Sequence, residues 1–480
     1  MTIIESIAQF SHDVRFDELP DPVVQECKRL LLDAAGCAVA GHDTLKGRAG
    51  VEFGGLLGGA ADEATILGSP RRTSVFGAAF ANGELINALE FDPILPPGHV
   101  TPNVLPGALA VGEREQADGR TLITALAVAH ELSFRIGGAM GSLRRMENGK
   151  PVLPPVFGYS STVFGATAAI GMLKGLHLGK LVDALGIAGL TAPVDAFRGW
   201  CMHTPPTTLK YLAAGVLAHT AMTAAHLAEL GHRGNPQILD DAESGFPRYI
   251  GTERWEPGQL LDGLGEQWHF PGAQSYRPYA HARGAHGALD VVTSLVTEHD
   301  LKPYEIEAVR AWGEPFVATY PVWRSRELAH VQDALYSSSY ALSLAAHRTP
   351  AGRPWQDPEV VFSPSVKDLA NRCSYRAHPD YAREATADPD CRPTRVEVDA
   401  RGTTFDGTSR YPQGSPSPDA GTTMSTTDIV TKFRTNTAGL LPPHAVDAVT
   451  GQILTLESVK DVAAVVRELA PPADPAATPE

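Results

Sequence analysis

Between Asp21 and about Leu264 the chain offers one apolar run after another at helical spacing: residues 23–39, 121–136, 161–173, 180–190 and 209–230. The runs are rich in Ala, Leu and Gly, which suits helices packed closely on one another. Asp21-Pro22 reads as a helix start, with Asp as N-cap and Pro at the first position. The texture changes near residue 266. Residues 304–312 and 394–399 alternate polar and apolar positions as half-buried strands do, while 284–297 and 333–346 again read as helices. At ~150 residues per domain, 480 residues suit two to three domains, or one large domain with an insertion. The expected fold is a mainly α-helical domain with a smaller α/β (α+β) unit inserted. Residues 1–267 and 409–470 form the discontinuous helical domain, 268–408 the insert, and 471–480 a disordered tail rich in Pro and Ala.

Composition narrows the function. A formal net charge of −15 without a long basic run argues against nucleic-acid or anionic-membrane partners, yet leaves room for a small anionic ligand held by a few local cations. No apolar run reaches the ~18 residues that span a membrane. Met1-Thr-Ile-Ile-Glu-Ser lacks the basic start and apolar core of a signal peptide. The five cysteines show no CxxC spacing, so reduced thiols in a cytoplasmic protein are expected. There is no GxxxxGK[ST] and no GxGxxG between a strand and a helix, so nucleotide binding has no support.

The chemistry concentrates in Ala88-Leu-Glu-Phe-Asp-Pro93 and Gly98-His-Val-Thr-Pro102. Two carboxylates, Glu90 and Asp92, end an apolar, helix-like run, and a proline-dense loop follows with His99 as its only ionisable residue. Folded back over the helix end, that loop would bring a carboxylate and an imidazole together as an acid/base pair. On a regular helix the two carboxylates point in different directions. Pro93 pushes Asp92 out of helical geometry, so either could face a pocket. Further along, Arg283 with His281 and His286 forms a cationic cluster able to clamp a carboxylate. His281 and His286 are five residues apart, which does not put two ligands on one helix face, and no metal site is expected.

Several segments, in order, carry a family resemblance. They are Leu31-Leu-Asp-Ala-Ala-Gly-Cys-Ala-Val-Ala-Gly41, Phe80-Ala-Asn-Gly through Asp92, Tyr276-Arg-Pro-Tyr-Ala-His-Ala-Arg-Gly-Ala-His286, Ala334-Leu-Tyr-Ser337 with Tyr340, and Tyr411-Pro-Gln-Gly-Ser-Pro416 with Lys432-Phe-Arg434. Over about residues 5–465 the chain resembles the MmgE/PrpD family of dehydratases, decarboxylases and epimerases. The resemblance implies a large helical domain with an α/β lid, a site between them, a homodimer, and small di- or tricarboxylic acid substrates handled without an organic cofactor. By resemblance, His99 stands at a catalytic histidine and Lys210, in Thr207-Thr-Leu-Lys-Tyr, at an active-site lysine. Glu90 stands at a catalytic aspartate of the decarboxylases, and Asp92 at the next acidic position. There are departures. Pro93 and Ile94 replace an aspartate and a threonine, and one residue is missing before His99. Tyr159, in Phe157-Gly-Tyr-Ser-Ser161, stands at a second catalytic histidine. His281 lies one position from another, with Ala282 in strict register. These departures weaken the case for methylcitrate dehydration and cis-aconitate decarboxylation themselves.

The expected function is a cofactor-independent lyase that abstracts a proton alpha to a carboxylate of a small acid, as a dehydratase or decarboxylase. His99 or an acidic neighbour serves as base. Lys210, Arg283 and His281 bind substrate, and Tyr159 or Lys210 donates a proton. An epimerase on a similar acid and a non-catalytic ligand-binding member remain as alternatives.

Overall fold

The computed structural model describes residues 1–141, 146–148 and 150–471; of the expected disordered tail, all but Pro471 lies outside the described residues. The chain is mainly helical. The apolar runs become helices Asp21–Gly41, Gly119–Met140, Thr162–Leu173, Leu178–Thr191 and Ala214–Glu229. Their small residues earn their place in the packing. A Cβ at Gly165 would meet the Ala129 carbonyl oxygen at 2.3 Å, so the 162–173 helix lies against the 119–140 helix only because that position is glycine. Helix Val75–Ile86 packs among Leu45–Gly58, Thr101–Arg114 and Ala214–Glu229. One apolar core, running from Ile3 to Leu469, joins the two ends of the sequence.

The alternating segments form strands β1 (Ile306–Gly313) and β3 (Thr394–Ala400). The strands β2 (Cys373–Ala377) and β4 (Thr403–Ser409), which the alternation did not reveal, complete a sheet of order β2-β1-β3-β4. β1 pairs parallel with β2 and antiparallel with β3, with Val309 opposite both Cys373 and Val398. Helices His286–Glu298 and Ser338–Ala346 pack against the sheet and each other. The alternate residues Val396, Val398 and Ala400 are accordingly buried. This second core also takes in Cys37 and Ala40 from helix Asp21–Gly41, and Leu89 and Phe91 from the turn after helix Val75–Ile86.

Three elements differ from expectation, and two of them build the site. Asp21 is itself helical, with Pro20 at the cap and Pro22 inside the first turn. The helix expected over 209–230 starts only at Ala214. Thr204-Pro205-Pro206 ahead of it cannot sustain a helix, and Lys210 sits in a turn with φ +67°. Likewise the run from Ser74 ends as a helix at Ile86, well before the carboxylates, and Glu90 has φ +51°. Among the described residues no helix is long and apolar enough to cross a membrane.

Candidate active site

The chain leaves helix Val75–Ile86 at Asn87 and turns sharply through Glu90, whose left-handed backbone is rare for a residue with a side chain. Released from helical spacing, Glu90 and Asp92 both turn inward; Asp92 is fully buried. The proline loop then doubles back, with Leu95 N–H donating to the Gly98 carbonyl at 3.0 Å. Gly98 is pressed against Tyr159, and a Cβ there would lie 2.6 Å from the phenol ring and oxygen. His99 follows, its carbonyl accepting from Asn103 Nδ2 at 2.7 Å as the next helix begins. A reciprocal backbone pair between Ile94 and Ser275, 2.9 and 2.8 Å, ties this loop to a segment 181 residues on and delivers Arg277.

The result is a buried cluster around one imidazole. His99 Nδ1 lies 2.7 Å from Asp92 Oδ2. Asp92 is ionised and can only accept, so the ring proton is assigned to Nδ1 and Nε2 keeps its lone pair. Asn87 Nδ2 donates to Asp92 Oδ1 at 3.1 Å. Lys210 Nζ donates to Glu90 Oε1 and, at 3.2 Å, to Asn87 Oδ1, and stands 3.5 Å from His99 Nε2. Arg277 Nη1 donates to Glu90 Oε2 at 2.7 Å and to the Glu90 carbonyl, while Nη2 lies 3.0 and 3.4 Å from the imidazole nitrogens. The Tyr336 hydroxyl donates to Glu90 Oε1 at 3.3 Å. Asn87 Oδ1 also accepts from Lys46 Nζ at 2.6 Å, so one amide links two lysines to Asp92.

Burial sets the protonation states and neighbours adjust them. Burial raises the Glu90 carboxyl, but Lys210, His99 and Arg277 outweigh it and hold the group well below the usual carboxylate range. Asp92 is likewise lowered, with burial opposed by His99 and Arg277. Burial pulls His99 below its ordinary 6.5, against Asp92, so the ring is neutral near neutral pH and can act as a base. Lys210 is pushed down to about 8 by burial, with Lys46 adding to the push and Glu90 opposing it. It is then a cation close to releasing its proton. Burial raises the Tyr159 phenol beyond reach of a base role.

Above the cluster opens a cavity of about 400 Å³. Glu90, His99, Lys210 and Arg277 line it; Asp92 sits behind His99. Tyr159 lines it too, its ring stacked between His99 (5.9 Å) and Tyr211 (4.6 Å). Arg283 forms part of the wall. His281 does not: it is fully buried behind the wall, Nδ1 3.0 Å from the Ala282 carbonyl, and Ala282 holds the position on the cavity.

The MmgE/PrpD N-terminal domain is matched over residues 5–257, and the MmgE/PrpD C-terminal domain over residues 279–456. The chain belongs to the MmgE/PrpD family. Among curated relatives, a cis-aconitate decarboxylase of Homo sapiens is 30% identical over 250 residues, which is 51% of this chain and 50% of the relative. One of Mus musculus is 29% identical over 269 residues, 54% of this chain and 52% of the relative. One of Aspergillus terreus is 25% identical over 314 residues, 61% and 60%. The match thus spans about half the length of the human and mouse relatives.

Within this MmgE/PrpD chain, sequence reasoning passed over Arg277, Asn87, Tyr211 and Tyr336. Each had a signal. Arg277 is the cation inside the Tyr276-Arg-Pro-Tyr segment and Tyr336 the aromatic of Ala334-Leu-Tyr-Ser337. Tyr211 adjoins Lys210, and Asn87 directly precedes the Ala88–Pro93 stretch.

Proposed function

We propose that this cavity is the active site of a cofactor-independent lyase acting on a small carboxylic acid. The observation that carries the reading is the neutral His99, backed by Asp92 and flanked within 3.5 Å by Lys210 and Arg277. His99 Nε2 takes the proton alpha to a substrate carboxylate, and Asp92 stabilises the imidazolium that results. The electron pair left behind delocalises into the carboxylate as an enolate, whose charge Lys210 and Arg277 offset in a site that excludes much of the water. If the neighbouring carbon bears a hydroxyl, Lys210 or Tyr159 supplies the proton with which it departs as water, and the enolate pair forms the new double bond. If a carboxylate departs as CO₂, its bonding pair stays on carbon and is quenched by a proton from Lys210 or from protonated His99.

Glu90 positions both cations and keeps them charged. The lid reading, with 268–408 closing over 1–267 and 409–470, is supported by a cavity lined from both stretches, Glu90, His99 and Lys210 from one and Arg277, Phe316 and Tyr336 from the other. The reading includes a homodimer, on family grounds, and a reducing, cytoplasmic setting that suits five free, buried cysteines. To test it, the purified chain is incubated with di- and tricarboxylic acids while CO₂ release and new olefinic signals are followed by NMR. Either product, lost in Lys210→Met, supports the lyase. A change of configuration without either product replaces it by an epimerase.

A further inference from the structure

The charged cluster is one part of the cavity; much of the rest of its wall is aromatic. Phe134, Phe157, Phe197, Trp200, Phe316 and Trp323 all line it. All but Phe134 form a nearly continuous surface, with centroids 5.4 Å apart for Phe157–Phe197, 6.2 Å for Phe197–Trp200, 5.9 Å for Trp200–Trp323 and 4.9 Å for Phe316–Trp323. Trp200 meets Tyr336 at 4.8 Å, and the Tyr336 hydroxyl reaches Glu90, so the rings run up to the charged cluster without a polar gap.

A compact tricarboxylate would leave such a wall against water or against its own charge. It would also need surplus positive charge, and little is on offer among the described residues. The lining cations Lys210, Arg254, Arg277 and Arg283 are matched by the lining carboxylates Glu90 and Glu314, by Asp92 behind His99, and by Glu256, which holds Arg254 at 2.6 and 2.7 Å. With Arg392 3.6 Å from Glu314, cations and carboxylates among the described residues are close to balance. Charge balance favours an acid with few carboxylates, gathered where His99 and Lys210 are, and ring contacts favour a flat body beyond them.

We propose that the acid this cavity takes carries its carboxylates on one side and an apolar, aryl-sized body on the other, seated against Trp200, Trp323 and Phe316. The inference rests on the lyase reading above and narrows its substrate class. The indole N–H groups of Trp200 and Trp323 are buried without a hydrogen-bond partner among the described residues, and a hydroxyl or carbonyl oxygen on that body would satisfy them.

The test compares three acids on the full chain: succinate, benzylsuccinate (the same head with an aryl body) and tricarballylate (the same head with a third carboxylate). Binding is read by calorimetry and alpha-deuterium exchange by NMR in D₂O. Benzylsuccinate is expected to bind roughly tenfold or more tighter than succinate, as burial of a phenyl group allows, and tricarballylate no tighter than succinate. Trp200→Leu then cuts the benzyl advantage several-fold; should that variant not fold, Phe316→Leu serves the same purpose. Tighter binding of tricarballylate than benzylsuccinate, with exchange, overturns the aryl inference and leaves the lyase reading standing. A benzyl advantage that survives both substitutions overturns it as well. No binding and no exchange with any of the three overturns both.

Discussion

Around His99, four ionised side chains crowd within 4 Å of one imidazole, each bonded to at least one other; elsewhere on the cavity wall, five rings, Phe157, Phe197, Trp200, Trp323 and Phe316, pack one on the next. The two surfaces cost the fold differently. Rings buried against rings are stabilising by area alone. Buried ions give up hydration that their pairing only partly repays, so a cluster of this kind is a stability liability unless it does chemistry. The contrast with Glu113 sharpens the point. That carboxylate is also buried, yet it is met by the backbone and hydroxyl of Thr65 at 2.7 and 2.9 Å and by Arg72, and it does not line the cavity. Glu90 binds its cations at the edge of an open space.

The comparison can be broken in four ways. The largest effect is expected for His99→Ala, which removes the base and should lower kcat/KM by about 10²–10⁴-fold with the cavity rings untouched, as steady-state kinetics and near-UV circular dichroism would show. Arg277→Ala comes next. It strands Glu90 and Asp92 with fewer donors and should cost about 3–5 kcal/mol of stability, measured by denaturant unfolding, whereas Phe134→Leu on the aromatic side should cost less. The pH profile of kcat/KM follows. Neutral His99 is lost as pH falls through a value below 6.5, and protonated Lys210 is lost as pH rises through about 8, so a bell with its alkaline limb near there is expected. An alkaline limb unmoved by Lys210→Arg would assign it elsewhere. The smallest effect belongs to Tyr159→Phe, which keeps the stack on Tyr211 and loses only the hydroxyl. A loss of under about tenfold in kcat is expected, and a much larger one would make Tyr159 the principal proton donor.

Much of the helical architecture could be read from apolar spacing, and two of the four main strands from alternation, because those signals are local. The site was legible in part for the same reason: His99, Glu90 and Asp92 lie within ten residues of one another. Arg277 lies within a recognisable motif, but nothing local says that Ser275 will pair with Ile94 and carry it to the site. The left-handed residues Glu90 and Lys210 are neither glycine nor asparagine, so nothing announces them; the turn at Glu90 brings the carboxylates inward, and the turn at Lys210 delivers its ammonium to Glu90. A register difference of one residue puts Ala282 on the cavity in place of His281. The aromatic wall gathers residues from 134 to 323 and has no period at all.

Proton transfer at carbon by His99 is the step on which the rest depends. The direct measurement is alpha-deuterium incorporation into a bound acid in D₂O, followed by NMR for the wild type and His99→Ala side by side. Incorporation by the wild type, and none above background in the variant, is expected. Undiminished incorporation by a folded His99→Ala protein would contradict it.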